Sequence, residues 1–540
     1  MNKIFREKLV LILIVIIALF GNIWVSYPDI MEIRNFVTAR EMVTDGNWLI
    51  TTMNGAYRFE KPPLPTWITA GFMKLIGINA PDWTMRIPSA LMGCLFLYLL
   101  YLFIKLLTNK DQISMLAVFI GATTIMFTNL VNENTWDTYT YVFAFATVFF
   151  SLKGIKTNKL FYFILTSFTI GASILSKGPV GLYLIYFPFL ISYFLIYGKE
   201  ELKKYWKILL GTFLLGILIA GLWPLSIYLK NKDIFMSNIF QKVINKEVAT
   251  WNNRKQESIF YYLDYPVYTG IWMLPLVFSF FPKWSKPRTV DKNFLNLTLI
   301  WNFITFLGLS AVGMKKKRYM LPLFMTSPMI LSSVLIYYFE TTKEQLKKSD
   351  KFLLNFQKFL SLILYIFVLF IAYIFIYPNE KTGLWYPIFC TILFIPFLIY
   401  TFKGNPKKVI IGSGIIMLLG NLTGNWYIDR YLRLEVKKKI FLKYDYPRLS
   451  NLRRTLSKEE FYSFNPSMRE VWNIGKQIND LSTEKYMDTD NLPNTMNIVT
   501  SDSPEKLLKK LPQYKIINTK TYYKEDNDNN TINIYIIQRI

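Results

Sequence analysis

Apolar runs recur along most of the chain, each roughly 17 to 25 residues long, the length a helix needs to cross about 30 Å of hydrocarbon. Of 540 residues, 52% are hydrophobic and 17% aromatic, more than one or two soluble cores can hide. The pattern predicts an all-α polytopic membrane protein. Hydropathy places about thirteen spans, beginning near Leu9, Pro88, Ile113, Asp137, Leu160, Pro179, Ile208, Tyr268, Phe294, Tyr319, Phe359, Leu384 and Val409. The first run follows Lys3, Arg6 and Lys8 but lacks a small-residue cleavage site, so it is expected to stay as a helix rather than leave as a signal peptide.

The net charge of +26 is explained by topology and needs no nucleic acid partner. Lysines cluster in the loops at Lys105/Lys110, Lys153/Lys156/Lys159, Lys283/Lys286 and Lys403/Lys407/Lys408, whereas the loop Asn132–Trp136 has no basic residue. An N-in, C-out topology follows from the positive-inside rule. The cysteines, Cys94 and Cys390, fall inside spans and are expected to be small apolar packers. Histidine is absent, which excludes imidazole acid–base chemistry and imidazole metal ligation.

Three regions are expected on the face opposite the lysine loops: residues 26–87, residues 229–266 and the tail after Tyr427. Domains are therefore drawn at 1–427, in the membrane, and 428–540, a small extracytoplasmic α/β domain. In the first loop, Asn54-Gly55 favours a type I′ hairpin turn, and Pro62-Pro63 suit the start of a short helix from Leu64 to Leu75. In the tail, strands are predicted at Asn497–Thr500, Lys515–Thr519 and Thr531–Ile537, with a helix capped near Ser503.

Ionisable groups at a bilayer edge are costly to place, so their types carry information. Asp29, Glu32 and Asp137 are carboxylates able to act as general base toward an acceptor hydroxyl or amine. Each also suits a helix N-terminus, and Glu32 has Arg34 and Arg40 nearby for an ion pair. Lys61, Arg254, Arg318 and Tyr319 lie where the positive-inside rule expects few cations, and a phosphate would satisfy them together; lipid headgroups are the competing explanation. Lys177, at a Gly-Pro turn between two runs, is expected to snorkel toward headgroups or to line the site.

Several segments together resemble glycosyltransferase family 39-like membrane enzymes, the aminoarabinose transferases and protein O-mannosyltransferases. They are Glu32-x-Arg34, Thr38-Ala39-Arg40-Glu41-Met42, Gly46-Asn47-Trp48-Leu49, Glu60-Lys61-Pro62-Pro63-Leu64, Arg86-Ile87-Pro88-Ser89-Ala90, Ser176-Lys177-Gly178-Pro179 and Lys317-Arg318-Tyr319-Met320-Leu321-Pro322. The resemblance covers residues 1 to about 340, beyond which only hydropathy agrees. It implies a GT-C fold and inverting transfer of a sugar from a polyprenyl-phosphate donor to an extracytoplasmic lipid, wall polymer or protein. It also implies residence in a bacterial cytoplasmic membrane, among membrane lipids. Lys61, Arg254 and Tyr319 would stabilise the departing phosphate. Met31 stands where the family usually has Asp before its Glu, leaving Asp29, Glu32 and Asp137 as alternatives for the base. No cofactor is required; a divalent cation would find Glu60 but no histidine beside it. The rival is a transporter or flippase of a lipid-linked sugar, which would place its charges near the midplane and repeat its halves.

Overall fold

The computed structural model describes residues 3–25, 27–237, 257–376, 383–436, 449–455, 459–483, 486, 492–523 and 531–540. The chain divides into two compact units. The first, a membrane unit, comprises residues 1–25, 59–65 and 86–428; the second comprises residues 26–58, 66–85 and 429–540.

Among the described residues, nine helices of the membrane unit are long and apolar enough to cross a membrane. A tenth span results if the pair Asp111–Ala122 and Ile125–Asn132, bent by 66°, is one. The sequence expectation of about thirteen is corrected accordingly. All three missing segments are helical but fall short. The helix Lys3–Phe20 carries Lys3, Arg6, Glu7 and Lys8 in its first turns. The apolar helix Leu182–Tyr197 is shorter than a span. The segment from Tyr265 to Ser279 is interrupted at Gly270, whose φ of +70° no helix permits. The 66° bend follows from Thr123 and Thr124, whose hydroxyls bond back to Phe119 O and Ile120 O at 2.8 Å and loosen the helical ladder there.

Burial ranks these helices. Trp136–Thr157 and Lys317–Glu340 are 83% and 94% buried over their apolar windows, against 22% for Trp385–Phe402, so the first two form the centre of the unit. Leu160–Lys177 and Glu200–Lys230 meet through small residues: a Cβ on Gly216 would lie 2.4 Å from Ile170 Cγ2 and 3.0 Å from Ser167 O. Such close backbone approach drives helix association where apolar burial offers no advantage.

The second unit is discontinuous, joining residues 26–58 and 66–85 to the tail. Its helix Ile30–Thr44 opens with a reciprocal cap: Asp29 accepts from Met31 N at 3.1 Å, and Glu32 accepts from Asp29 N at 3.0 Å. The hairpin that follows pairs β1 (Thr52–Met53) with β2 (Ala56–Tyr57). Asn54 and Gly55 turn it with φ of +54° and +75°, the two positive values a type I′ turn requires. The tail forms a mixed five-stranded sheet from β3 (Phe461–Ser463), β4 (Ile478–Asp480), β5 (Thr495–Thr500), β6 (Tyr514–Tyr523) and β7 (Thr531–Arg539), in the order β4-β3-β5-β7-β6. β3 runs parallel to β4 and β5; β7 runs antiparallel to β5 and β6. The predicted strands are β5, β6 and β7, and the predicted helix is Pro504–Lys510.

Both sheet faces are covered, and strand alternation assigns the residues. Phe461, Val499, Ile532 and Ile534 join Ile33, Phe36, Met42, Met73 and Trp472 in one core. Tyr462, Met496, Ile498, Tyr535 and Ile537 join Leu507 and Leu511 in the other. Residues between Ile33 and Met73 thus supply the cover for one face of the tail's sheet.

Candidate active site

The helices Trp136–Thr157 and Leu160–Lys177 form a hairpin turned at Asn158, whose φ is +54°. Antiparallel neighbours bring the first turn of one beside the last turn of the other. Asp137 and Lys177 meet there, their charged atoms in direct contact. Each charge also suits its helix end, a carboxylate at the N-terminus and an ammonium at the C-terminus. Asp137 is 6% exposed, and the side chain of Lys177 13%. Lys177 is therefore paired within the unit, and the snorkelling expected for it is corrected.

The loop before Asp137 is held firmly. Tyr139 donates to Asn134 Oδ1 at 2.9 Å, and Ser89 donates to Glu133 O at 2.9 Å. Arg86 donates from Nη1 to Ile23 O and Val25 O at 2.9 and 2.8 Å, fixing the chain beyond the first helix. Arg86 and Ser89 of the Arg-Ile-Pro-Ser-Ala segment thus act as struts, a use the sequence did not disclose.

A 3-10 turn, Lys317–Met320, leads into Leu321–Leu335 and delivers Tyr319. Its ring lies 4.4 Å from Lys177 Nζ, a cation–π distance. Asp137, Lys177 and Tyr319 therefore come together from three separate stretches. The neighbouring cations serve local structure. Lys317 bonds Asp264 at 2.6 Å and lies over the rings of Tyr261 and Tyr268 at 4.6 and 5.1 Å. Lys315 donates to Val312 O at 2.6 Å and Glu257 O at 3.2 Å. Tyr262 accepts from Lys316 N at 3.2 Å, and burial pushes its phenol well above the usual tyrosine range. Arg318 is half-buried beside Tyr319.

The remaining expected residues are distributed as follows. Lys61 is half-buried and Glu60 exposed, both in the membrane unit. Asp29, Glu32 and Arg34 belong to the second unit; Glu32 is buried and Arg34 exposed. Asp29 and Glu32 make the cap described above, the structural use open to them from sequence. Asp137 sits inside the first turn, with Thr135 at the cap position, so capping by Asp137 is corrected. Arg254 lies outside the described residues. No group of three or more His, Cys, Asp or Glu side chains gathers as a metal site among the described residues.

Two buried carboxylates escaped sequence reasoning. Glu41 accepts from Thr52 Oγ1 and Asn54 N, both at 2.6 Å, and from Gly55 N at 3.3 Å, and so pins the hairpin turn. Burial pushes its carboxyl above the usual range against these bonds. Asp350 bonds Arg288 Nε at 2.6 Å, Tyr338 Oη at 2.8 Å and Lys347 N at 3.0 Å. The hairpin signal at Asn54-Gly55 pointed toward the first; nothing in the sequence pointed to the second.

Residues 60–223 match the family model described as dolichyl-phosphate-mannose-protein mannosyltransferase. An undecaprenyl phosphate-alpha-4-amino-4-deoxy-L-arabinose arabinosyl transferase of Shewanella sediminis is 25% identical over 331 residues, covering 59% of this chain and 57% of its own. An uncharacterized protein of Aquifex aeolicus is 26% identical over 333 residues, covering 61% of this chain and 64% of its own. The chain thus spans less than two thirds of the length of these curated relatives. The crystal structure of ArnT from Cupriavidus metallidurans bound to undecaprenyl phosphate superposes with a TM-score of 0.69 at 16% identity, covering 98% of this chain and 97% of that one. The resemblance read from the motifs is borne out: this multi-pass membrane protein has the ArnT fold and carries, over residues 60–223, the signature of the dolichyl-phosphate-mannose-protein mannosyltransferase family.

Proposed function

We propose that the chain is an integral-membrane glycosyltransferase that moves a sugar from a polyprenyl-phosphate donor to an extracytoplasmic acceptor in a bacterial cytoplasmic membrane. The observation carrying this reading is the meeting of Asp137, Lys177 and Tyr319 at one helix-hairpin end. It gains weight from the matched family stretch, which contains Lys61, Asp137 and Lys177. The relative in Shewanella sediminis is named for an undecaprenyl-phosphate donor.

In the reaction the acceptor oxygen or nitrogen attacks the anomeric carbon as the bond from that carbon to the phosphate oxygen breaks. The acceptor proton passes to a carboxylate, and the polyprenyl phosphate leaves with the bonding electrons. Asp137 is the base best placed for this, because its carboxylate is little exposed and lies against Lys177 at the helix-hairpin end. Asp29 and Glu32 are the alternatives. Lys177, Lys61, Arg318 and Tyr319 would receive the charge that builds on the departing phosphate, joined by Arg254. A phosphate entering here competes with Asp137 for Lys177, which would free the carboxylate as the donor binds. Lipid A, another glycolipid, a wall polymer and a protein all fit as acceptors.

Mass spectrometry of envelope glycolipids and glycoproteins, with and without the chain, tests the proposal. Loss of one glycosylated species on deletion supports it. The same loss with lipid-linked sugar retained on the inner leaflet would instead favour a flippase, and an unchanged envelope would contradict the proposal.

A further inference from the structure

Beyond Lys177 the chain departs locally from the α-helix. Gly178 takes a φ of +73°, and a π-helix follows over Leu182–Tyr186. Wide turns of this kind are rare and recur at functional sites. This one is clamped on two sides. A Cβ on Gly181 would lie 2.9 Å from both Thr140 O and Ala144 Cβ, so the turn is pressed against the helix that carries Asp137. Thr305 Oγ1 donates to Leu184 O at 2.9 Å and anchors the turn from the helix Lys292–Ala311.

The residue this turn presents is Tyr183. Its neighbours Leu182, Leu184, Ile185 and Tyr186 are buried, whereas Tyr183 is 40% exposed. Exposure returns at Phe187, Ile191 and Leu195, a spacing of four that draws one stripe along the helix. The other three side chains of the stripe are hydrocarbon and suit lipid. Only Tyr183 of the four carries a hydroxyl, and that hydroxyl has no hydrogen-bond partner among the described residues. Asp137 and Tyr319 are both close enough to act on it electrostatically. One end of an apolar, exposed stripe thus meets the group formed by Asp137, Lys177 and Tyr319.

We propose that Tyr183 is a further phosphate-binding residue, its hydroxyl donating a hydrogen bond to a non-bridging oxygen of the polyprenyl phosphate as the donor enters sideways from the bilayer. This rests on the glycosyltransferase reading above. The donor's chain stays in hydrocarbon, so its phosphate approaches along a lipid-facing surface of the unit. A phosphate drawn toward a partly enclosed site loses water, and a fixed hydroxyl at the mouth replaces part of that hydration. A ring serving only as an interfacial anchor would have no use for the hydroxyl.

The test uses the full-length protein in detergent, titrated with undecaprenyl phosphate and with the uncharged alcohol undecaprenol and read by native mass spectrometry. The wild type is expected to bind the phosphate more tightly than the alcohol. Tyr183→Phe should weaken phosphate binding about 10-fold while leaving alcohol binding and the thermal midpoint unchanged. Equal phosphate affinity in the wild type and Tyr183→Phe would overturn the role of Tyr183 and leave the donor reading in place. An equal loss for both probes would also overturn it, because the hydroxyl would then not be reading the phosphate. No preference for phosphate over alcohol in the wild type would overturn both the role and the donor reading.

Discussion

Among the described residues, the membrane unit holds two buried ion pairs built to different ends. Asp350 and Arg288 are saturated: the carboxylate takes bonds from Arg288, Tyr338 and the Lys347 amide. The guanidinium also reaches Trp284 O and Ser349 Oγ and lies 4.6 Å from the Trp284 ring. Among the described residues, Asp137 and Lys177 are more sparsely held, with one carboxylate oxygen on the ammonium and the Tyr319 ring face beyond. A saturated pair has nothing to offer a ligand and fixes structure. A pair with spare acceptor and donor capacity can exchange partners when substrate arrives, so such sites are where chemistry is sought.

The comparison predicts opposite failures. Asp137→Asn should lower sugar transfer by about 10²–10⁴-fold while the protein still accumulates in the membrane; activity per unit of membrane protein reads this. Arg288→Ala should do the reverse, destabilising the fold by about 3–5 kcal/mol because Asp350 is left buried and unpaired. Its thermal midpoint and membrane level should fall together, and any surviving protein should retain transfer. If Arg288→Ala is stable and inactive, the division between the two pairs is wrong. Lys177→Met sharpens it further: transfer should fall with donor concentration unable to restore it, and the loss of stability should be smaller than for Arg288→Ala, because the Asp137–Lys177 pair is the more exposed of the two.

Glu41 supplies a smaller contrast within the second unit. Its carboxyl is held above its ordinary value by burial. A raised folded value means that the stability it contributes is fully present below the unfolded value near 4.5 and declines as pH rises through the raised value. Thermal unfolding of the full chain from pH 4.5 upward should show this decline, and Glu41→Gln should flatten it. Glu41→Ala should cost about 1–3 kcal/mol by stranding Asn54 N and Gly55 N. The smallest effect is expected from Gly55→Ala, about 1 kcal/mol for forcing a side chain to a φ of +75°, since the new Cβ meets only the flexible end of Gln477.

Much of the architecture was legible because local rules decide it. Apolar length gave most spans, Asn54-Gly55 gave the hairpin, and strand-like stretches bounded by turn residues gave β5, β6 and β7. The short strands β3 and β4 were not legible, since three residues carry no periodicity and their pairing is long-range. The cover of the sheet by Ile33, Phe36 and Met73 was hidden for the same reason. Asp137 and Tyr319 stood out as polar groups bordering apolar runs, yet the partner of Asp137 lies forty residues on. Reading the two helices as one hairpin would have matched Asp137 with Lys177. Arg288 and Asp350, by contrast, sat among loop lysines where topology already explained every charge.

The most direct test compares envelopes from cells carrying the wild-type chain or Asp137→Asn at equal membrane levels, by mass spectrometry of glycolipids and glycoproteins. The account predicts that a glycosylated species present with the wild type disappears with the variant. The same species at the same abundance in both would contradict it.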